Sequence, residues 1–166
     1  ISNLSTTQFD ALNTTQVASL NTSAVPVLSP TQLALLGTAE VAALRTSQIA
    51  VLTTAQLQNL ATAQIAALST SQIAVLSSTQ SSNLTTTQLA TLNTLQLAAL
   101  STASIAALST TQIGLFGTTG IAVLTLAQIA ALSSAQVSNL GSSQLDALTS
   151  SQVPLLSTAV IGALST

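Results

Sequence analysis

A chain of 166 residues is long enough for one domain with a sizeable core, yet only 2% of it is charged, against a usual share near ~25%. A net charge of −2, with Arg45 the one basic residue, leaves no basic patch for nucleic acid or an anionic membrane surface. With no cysteine there are neither disulfides nor thiolate metal sites, and at 48% hydrophobic the composition is the reverse of a disordered segment.

The first eight residues, ISNLSTTQ, set a frame that recurs without insertion or deletion as far as IGALST at the other end. Written I-A-A-L-S-T-x-Q, the frame has a branched or aromatic apolar residue at position one, broken only by Ser81. Position four is Leu except at Phe116, and position eight is Gln in 15 of 20 octads. Ser and Thr interrupt every apolar run well short of the ~18 residues of a membrane span, and no signal-peptide pattern opens the sequence. Because it begins at Ile1, inside a repeat and without Met, a window or mature fragment of something longer is expected. Residues 1–166 are read as one uninterrupted array of about 21 octads.

The octad spells the start of a helix. Ser, Thr, Asn or Gly at position five is the N-cap set, whose side chain accepts from the first free N–H groups. Gln three residues later can reach back to the cap's own N–H and close a capping box. The Leu before the cap and the apolar residue after the Gln form a hydrophobic staple. Along the chain, Pro26 falls at position two, where it removes a backbone donor and counts mildly against a helix. Pro30, one residue after the cap Ser29, sits where its missing N–H costs nothing. Glu40 replaces Gln near the positive end of the helix dipole, and Arg45 and Ala61 replace the cap. The stretch IAALSTSQIAVLSSTQ, 65 to 80, reads as two capped turns, with Ser69 and Ser77 as caps, Gln72 and Gln80 as their partners, and Leu68 stapled to Ile73. Pro154 repeats the position of Pro26.

One continuous α-helix is excluded by arithmetic. At about 100° per residue, each octad would rotate the apolar pair by roughly 80°, so the stripe would wind around the whole surface. The chain must bend once per octad. The expected fold is therefore all-α, a solenoid of short capped helical turns, one per octad. The alternative is a β-solenoid with two octads per coil, which Ile, Val and Thr favour and the Ala pair and Gln disfavour. The expected core is Leu12, Val17, Leu20, Leu44, Ile49, Leu52, Ile65, Leu68, Ile73, Leu76, Leu100, Ile105, Leu108, Ile113, Phe116, Ile129 and Leu132.

Little in the chain suggests chemistry. Asp10, Glu40 and Asp146 lie many octads apart and read as isolated surface charges, not as an acid pair or a metal site. Without His or Cys, the abundant Ser residues have no partner to activate them, so no enzyme, metal or cofactor is expected. GLFGTTG, 114 to 120, matches neither nucleotide fingerprint, and its glycines are expected to make room for the Phe116 ring. Asn3, Asn13, Asn21 and Asn83 head glycosylation sequons, which matter only in a secretory pathway that glycosylates.

SPTQL, 29 to 33, resembles the helix start of the plant-pathogen transcription-activator-like DNA-binding repeats, over five residues only; no nucleic-acid partner is implied. The whole chain, through its L-S/T-T-x-Q-I-A-A repeats, resembles low-complexity octad arrays of very large bacterial surface proteins, often labelled as haem-utilisation or adhesion proteins. The resemblance implies an extracellular or cell-surface array, from a bacterium. Haem capture would want an axial His, Met, Cys or Tyr, and none occurs. The expected function is structural: a filament, sheath or adhesin stalk that assembles with itself, head to tail or laterally. Apolar residues at position three (Val27, Leu35, Val51, Val75, Leu115, Val123, Leu155) would supply the lateral contacts. The alternative is an ice- or carbohydrate-binding solenoid that uses rows of Ser and Thr.

Overall fold

In the computed structural model, residues 5–156 are described, so the Asn3 sequon and the last, incomplete octad lie outside the described residues. Among them are 17 α-helices of four to six residues and two 3-10 turns, with no strand, so the β-solenoid alternative is set aside. Helices this short are far below the length at which an isolated helix holds together in water, so caps and packing must sustain them. The bend between helices is made by two extended residues, as at Leu44 (φ −58, ψ 135) and Arg45 (φ −70, ψ 153).

Every pair of helices in extensive contact is three octads apart. Three octads therefore make one coil, and the array has three faces. One face stacks Thr6–Asp10, Pro30–Ala34, Thr54–Asn59, Ser78–Ser82, Thr102–Ala107 and Leu126–Ala130, then the 3-10 turn Val153–Leu155. The second stacks Thr14–Ser19, Thr38–Ala43, Thr62–Ala66, Thr86–Leu89, Thr110–Gly114 and Ser134–Ser138. The third runs from the 3-10 turn Val25–Val27 through Thr46–Ile49, Thr70–Ala74, Thr94–Ala99 and Gly117–Ala122 to Ser142–Asp146.

Positions one and four from all three faces merge into one continuous core. Position one is the most deeply buried: Val17, Ile49, Ile65, Ile73, Ile105 and Ile113 have no exposed surface. Leu20, Leu44, Leu52, Leu68, Leu76, Leu100, Leu108, Phe116, Ile129 and Leu132 are also buried. Leu12, in the first coil, packs against the cluster but is only partly covered.

Pro26 and Pro154 have a visible consequence. Each sits inside a 3-10 turn in place of the α-helical turn found in the other octads, because its nitrogen has no hydrogen to close an i→i−4 bond.

Candidate functional site

The site-forming element of this fold is the octad corner, where one helix ends and the next is capped. At Ser69 the side chain accepts from the backbone N–H of Gln72, and the Ser69 N–H donates to Gln72 Oε1 at 2.7 Å. Ser77 and Gln80 make the same exchange, and so do Ser29 and Gln32. The half of the box that uses only the cap's backbone survives even where the cap side chain cannot take part. Arg45, Ala61 and Gly141 each donate their N–H to the following Gln Oε1. Arg45 sends its guanidinium onward, donating to the Leu20 carbonyl at 3.0 Å.

The glutamine has a second role that the local pattern does not reveal. It is buried, and its Nε2 donates to carbonyls of the corner one coil below. Gln72 Nε2 reaches Val41 O, Ala42 O and Leu44 O, which lie 31, 30 and 28 residues back. The carbonyl 28 residues back is an acceptor for Gln48, Gln56, Gln64, Gln80, Gln88, Gln96, Gln112, Gln128, Gln136 and Gln152 as well. Three ladders of carboxamides thus run the length of the array, one up each corner. Each rung supplies a donor to the carbonyl 28 residues back, which has no backbone donor, and a second one to carbonyls such as Val41 O that already accept from the Leu44 N–H. No buried side-chain polar atom among the described residues lacks a partner.

Departures from the octad occur together in space. Ser81, the one polar residue at position one, and Ser104, which stands where a Gln rung belongs, are both fully buried. Ser81 Oγ donates to Ser104 Oγ at 2.9 Å, Ser101 Oγ also donates to it, and Ser104 Oγ donates to Leu76 O. The lost rung is replaced by a compact hydroxyl network that reaches the same carbonyl, 28 residues back. Ser81→Ala and Ser104→Ala are each expected to cost about 1 kcal/mol, with a coupling of similar size between them in a double-mutant cycle read by urea denaturation.

The second departure is the stretch 114 to 120. Gly117 has φ +63, a left-handed conformation that side chains rarely adopt, and the helix it opens has Phe116 in a helical conformation where the other α-helices have an extended cap. A Cβ on Gly120 would lie 3.0 Å from Phe116 Cβ and 2.9 Å from Leu97 Cδ1. Gly120 therefore makes room for Phe116, and Gly117 serves the backbone instead. One coil up, Gln144 Nε2 donates only to Gly114 O, 30 residues back, and not to the carbonyl 28 residues back.

Asp10 and Asp146 are exposed and Glu40 is partly covered. No cluster of His, Cys, Asp or Glu able to hold a metal occurs among the described residues. No helix there is long and apolar enough to cross a membrane.

The three-octad coil sorts surface residues by face. Val27, Val51, Val75 and Val123 are spaced by three octads or a multiple of three, with Ala99 completing the series, so they form one line along the third face. Val27 is 63% exposed, Val75 37% and Val123 36%. Leu35 and Leu155 fall on the first face and Leu115 on the second. A different line, Thr14, Thr38, Thr62, Thr86 and Thr110, opens successive helices of the second face.

These features define a three-sided helical solenoid built from a short repeat and sealed by glutamine ladders. The ALTTAQ repeat family matches residues 25–62, 49–86, 82–118 and 121–158. The matches cover most of the chain, which belongs to this repeat family. No curated protein and no solved structure matches it.

Proposed function

We propose that this chain is a structural element of an extracellular or cell-surface assembly, a filament, sheath or adhesin stalk of bacterial origin, in which arrays associate side by side. The observation that carries the proposal is the valine line. The valines at position three all fall on one face, where scattered placement would have put them on all three; Val27, Val75 and Val123 are exposed, and half-buried Val51 and Ala99 complete the line. A partner of the same repeat presents apolar groups at the same spacing over its whole length. The rest of the surface is nearly uncharged, so like-charge repulsion does not oppose lateral contact. No reactive side chain needs to be explained by another role.

Sedimentation analysis over a wide concentration range tests the reading. The native array is expected to associate, and a variant with the exposed Val27, Val75 and Val123 all changed to Ser is expected to stay monomeric with an unchanged circular dichroism spectrum. A native array that remains monomeric at high concentration would sink the proposal.

The threonine line on the second face supports a second reading, in which an ordered polar row binds ice or glycan. Thermal hysteresis or glycan-array binding that is lost on replacing Thr38, Thr62 and Thr86 with Val would favour it over lateral assembly.

A further inference from the structure

The ladder on the third face lacks one rung, and the gap is a cavity. Between Gln96 and Gln144 the position belongs to Gly120, which has no side chain to send down to the coil below. The residues 28, 30 and 31 back from Gly120 are Leu92, Ala90 and Leu89, the offsets that Gln72 Nε2 spans at its own corner. All three line a cavity of about 390 Å³ that also touches Leu97, Phe116 and Gly120. That volume is within the ~300–1,000 Å³ range of ligand pockets. Its floor is apolar and buried (Leu89, Leu92, Leu97 and Phe116), whereas Thr94 and Thr119 on the rim are exposed.

We propose that this cavity is a binding site for a primary carboxamide on a short apolar stem, which takes the place of the missing glutamine rung. The N–H₂ group donates to the carbonyls of Leu92 and Leu89, as the rungs do at other corners, and the stem lies on Leu97 and Phe116. The chemistry favours a neutral donor. An ammonium group would have to leave water for an apolar floor with no carboxylate among the lining residues. A bare hydrocarbon would leave the Leu92 carbonyl without a donor, Leu89 O already accepting from the Leu92 N–H. Third-face valines and this cavity are separate features, so the site does not depend on lateral assembly.

The test is a titration of the native array with butyramide, followed by amide proton–nitrogen correlation spectra. Saturable shifts are expected at Leu92, Phe116, Gly117 and Gly120. N,N-dimethylbutyramide, which keeps the shape of the stem but has no N–H, is expected to bind about tenfold more weakly. Gly120→Gln, which supplies the rung covalently, is expected to abolish the butyramide shifts. Because a Cβ at 120 crowds Leu97 and Phe116, the comparison of the two amides on the native protein carries the test independently of that variant. Acetylglutamine methylamide distinguishes the source. Its binding points to a glutamine side chain as the natural occupant, and its exclusion while butyramide binds points to a free small amide. The absence of saturable shifts, equal binding of both amides, or undiminished binding to a folded Gly120→Gln variant overturns the proposal.

Discussion

Replacing Gln72 with Ala lowers stability by about 2–5 kcal/mol, while the same change at Gln16 costs about 1 kcal/mol or less. Gln72 is 2% exposed and stands between two sets of backbone groups, the Ser69 N–H at its own corner and the Val41, Ala42 and Leu44 carbonyls below. Alanine leaves the Leu44 carbonyl buried without a donor and takes one partner each from the Val41 and Ala42 carbonyls and the Ser69 N–H; a buried unsatisfied group costs roughly 1–3 kcal/mol. Gln16 is exposed and makes only the capping exchange with Asn13, so water replaces it there. Urea denaturation gives the comparison, and amide exchange at Ser69 locates the loss. Equal costs at the two sites would mean that the ladder adds nothing to capping.

Gln72→Glu makes the same loss depend on pH. A carboxylate there keeps the acceptor for Ser69 N–H but turns a second oxygen toward three carbonyl oxygens in a buried site, which disfavours its charged form. Its pKa in the folded protein is therefore raised above the unfolded value near ~4.3. Below the unfolded value the group is neutral in both states, its O–H donates to a carbonyl, and the variant is closest to native. As pH rises through the folded value the charge must be buried and the deficit grows, so the variant is weaker at pH 7 than at pH 4.

Deleting the octad 89–96 costs about 1–3 kcal/mol more than deleting the octad 57–64. Both deletions leave the octad frame intact, and both turn the downstream octads by one face. They differ in their effect on Ser81 and Ser104. Loss of 57–64 lies before both and keeps them 23 residues apart, so the buried hydroxyl network persists. Loss of 89–96 lies between them. Ser81 then meets Gln112 where Ser104 stood, so its hydroxyl loses its partner while its small volume leaves a void. Adding Ser81→Ile and Ser104→Gln to that deletion restores the ordinary octad at both places and recovers most of the loss. Chemical denaturation of the four proteins checks the ordering. Equal stability of the two deletions would mean that the serines are independent.

The local part of the fold was legible because an octad carries its own start signal. Cap, box and staple all lie within one repeat length, and Ser69, Gln72 and the bend at Leu68 are read from a single octad. The coil was not legible in that way, since a pattern of period eight is the same whether two, three or four octads close a turn. The information lay in the departures instead. Val27, Val51, Val75 and Val123 recur at multiples of three octads, and Ser81 and Ser104 depart from the octad 23 residues apart. The ladder had its own trace in residue choice. A capping box accepts Glu as well as Gln, and the helix dipole favours Glu, yet position eight has Glu only at Glu40. A preference for the uncharged amide against that electrostatic advantage means that the N–H₂ group is needed. The two 3-10 turns were marked by their prolines. The cavity at Gly120 could not be placed, because the carbonyls it exposes belong to a corner three to four octads earlier.

Three octads to a coil also governs how such a gene can lengthen. Repeats multiply most readily by gain of whole units, and one added octad preserves every cap and every rung. It nevertheless turns all later residues by a third of a coil, so a line such as the valines would continue on a neighbouring face. Two added octads do the same in the other direction. Only gains of three octads at a time extend the rod and keep each face continuous. Octads are thus the unit in which the backbone tolerates growth, and triplets of octads are the unit in which a surface can be inherited.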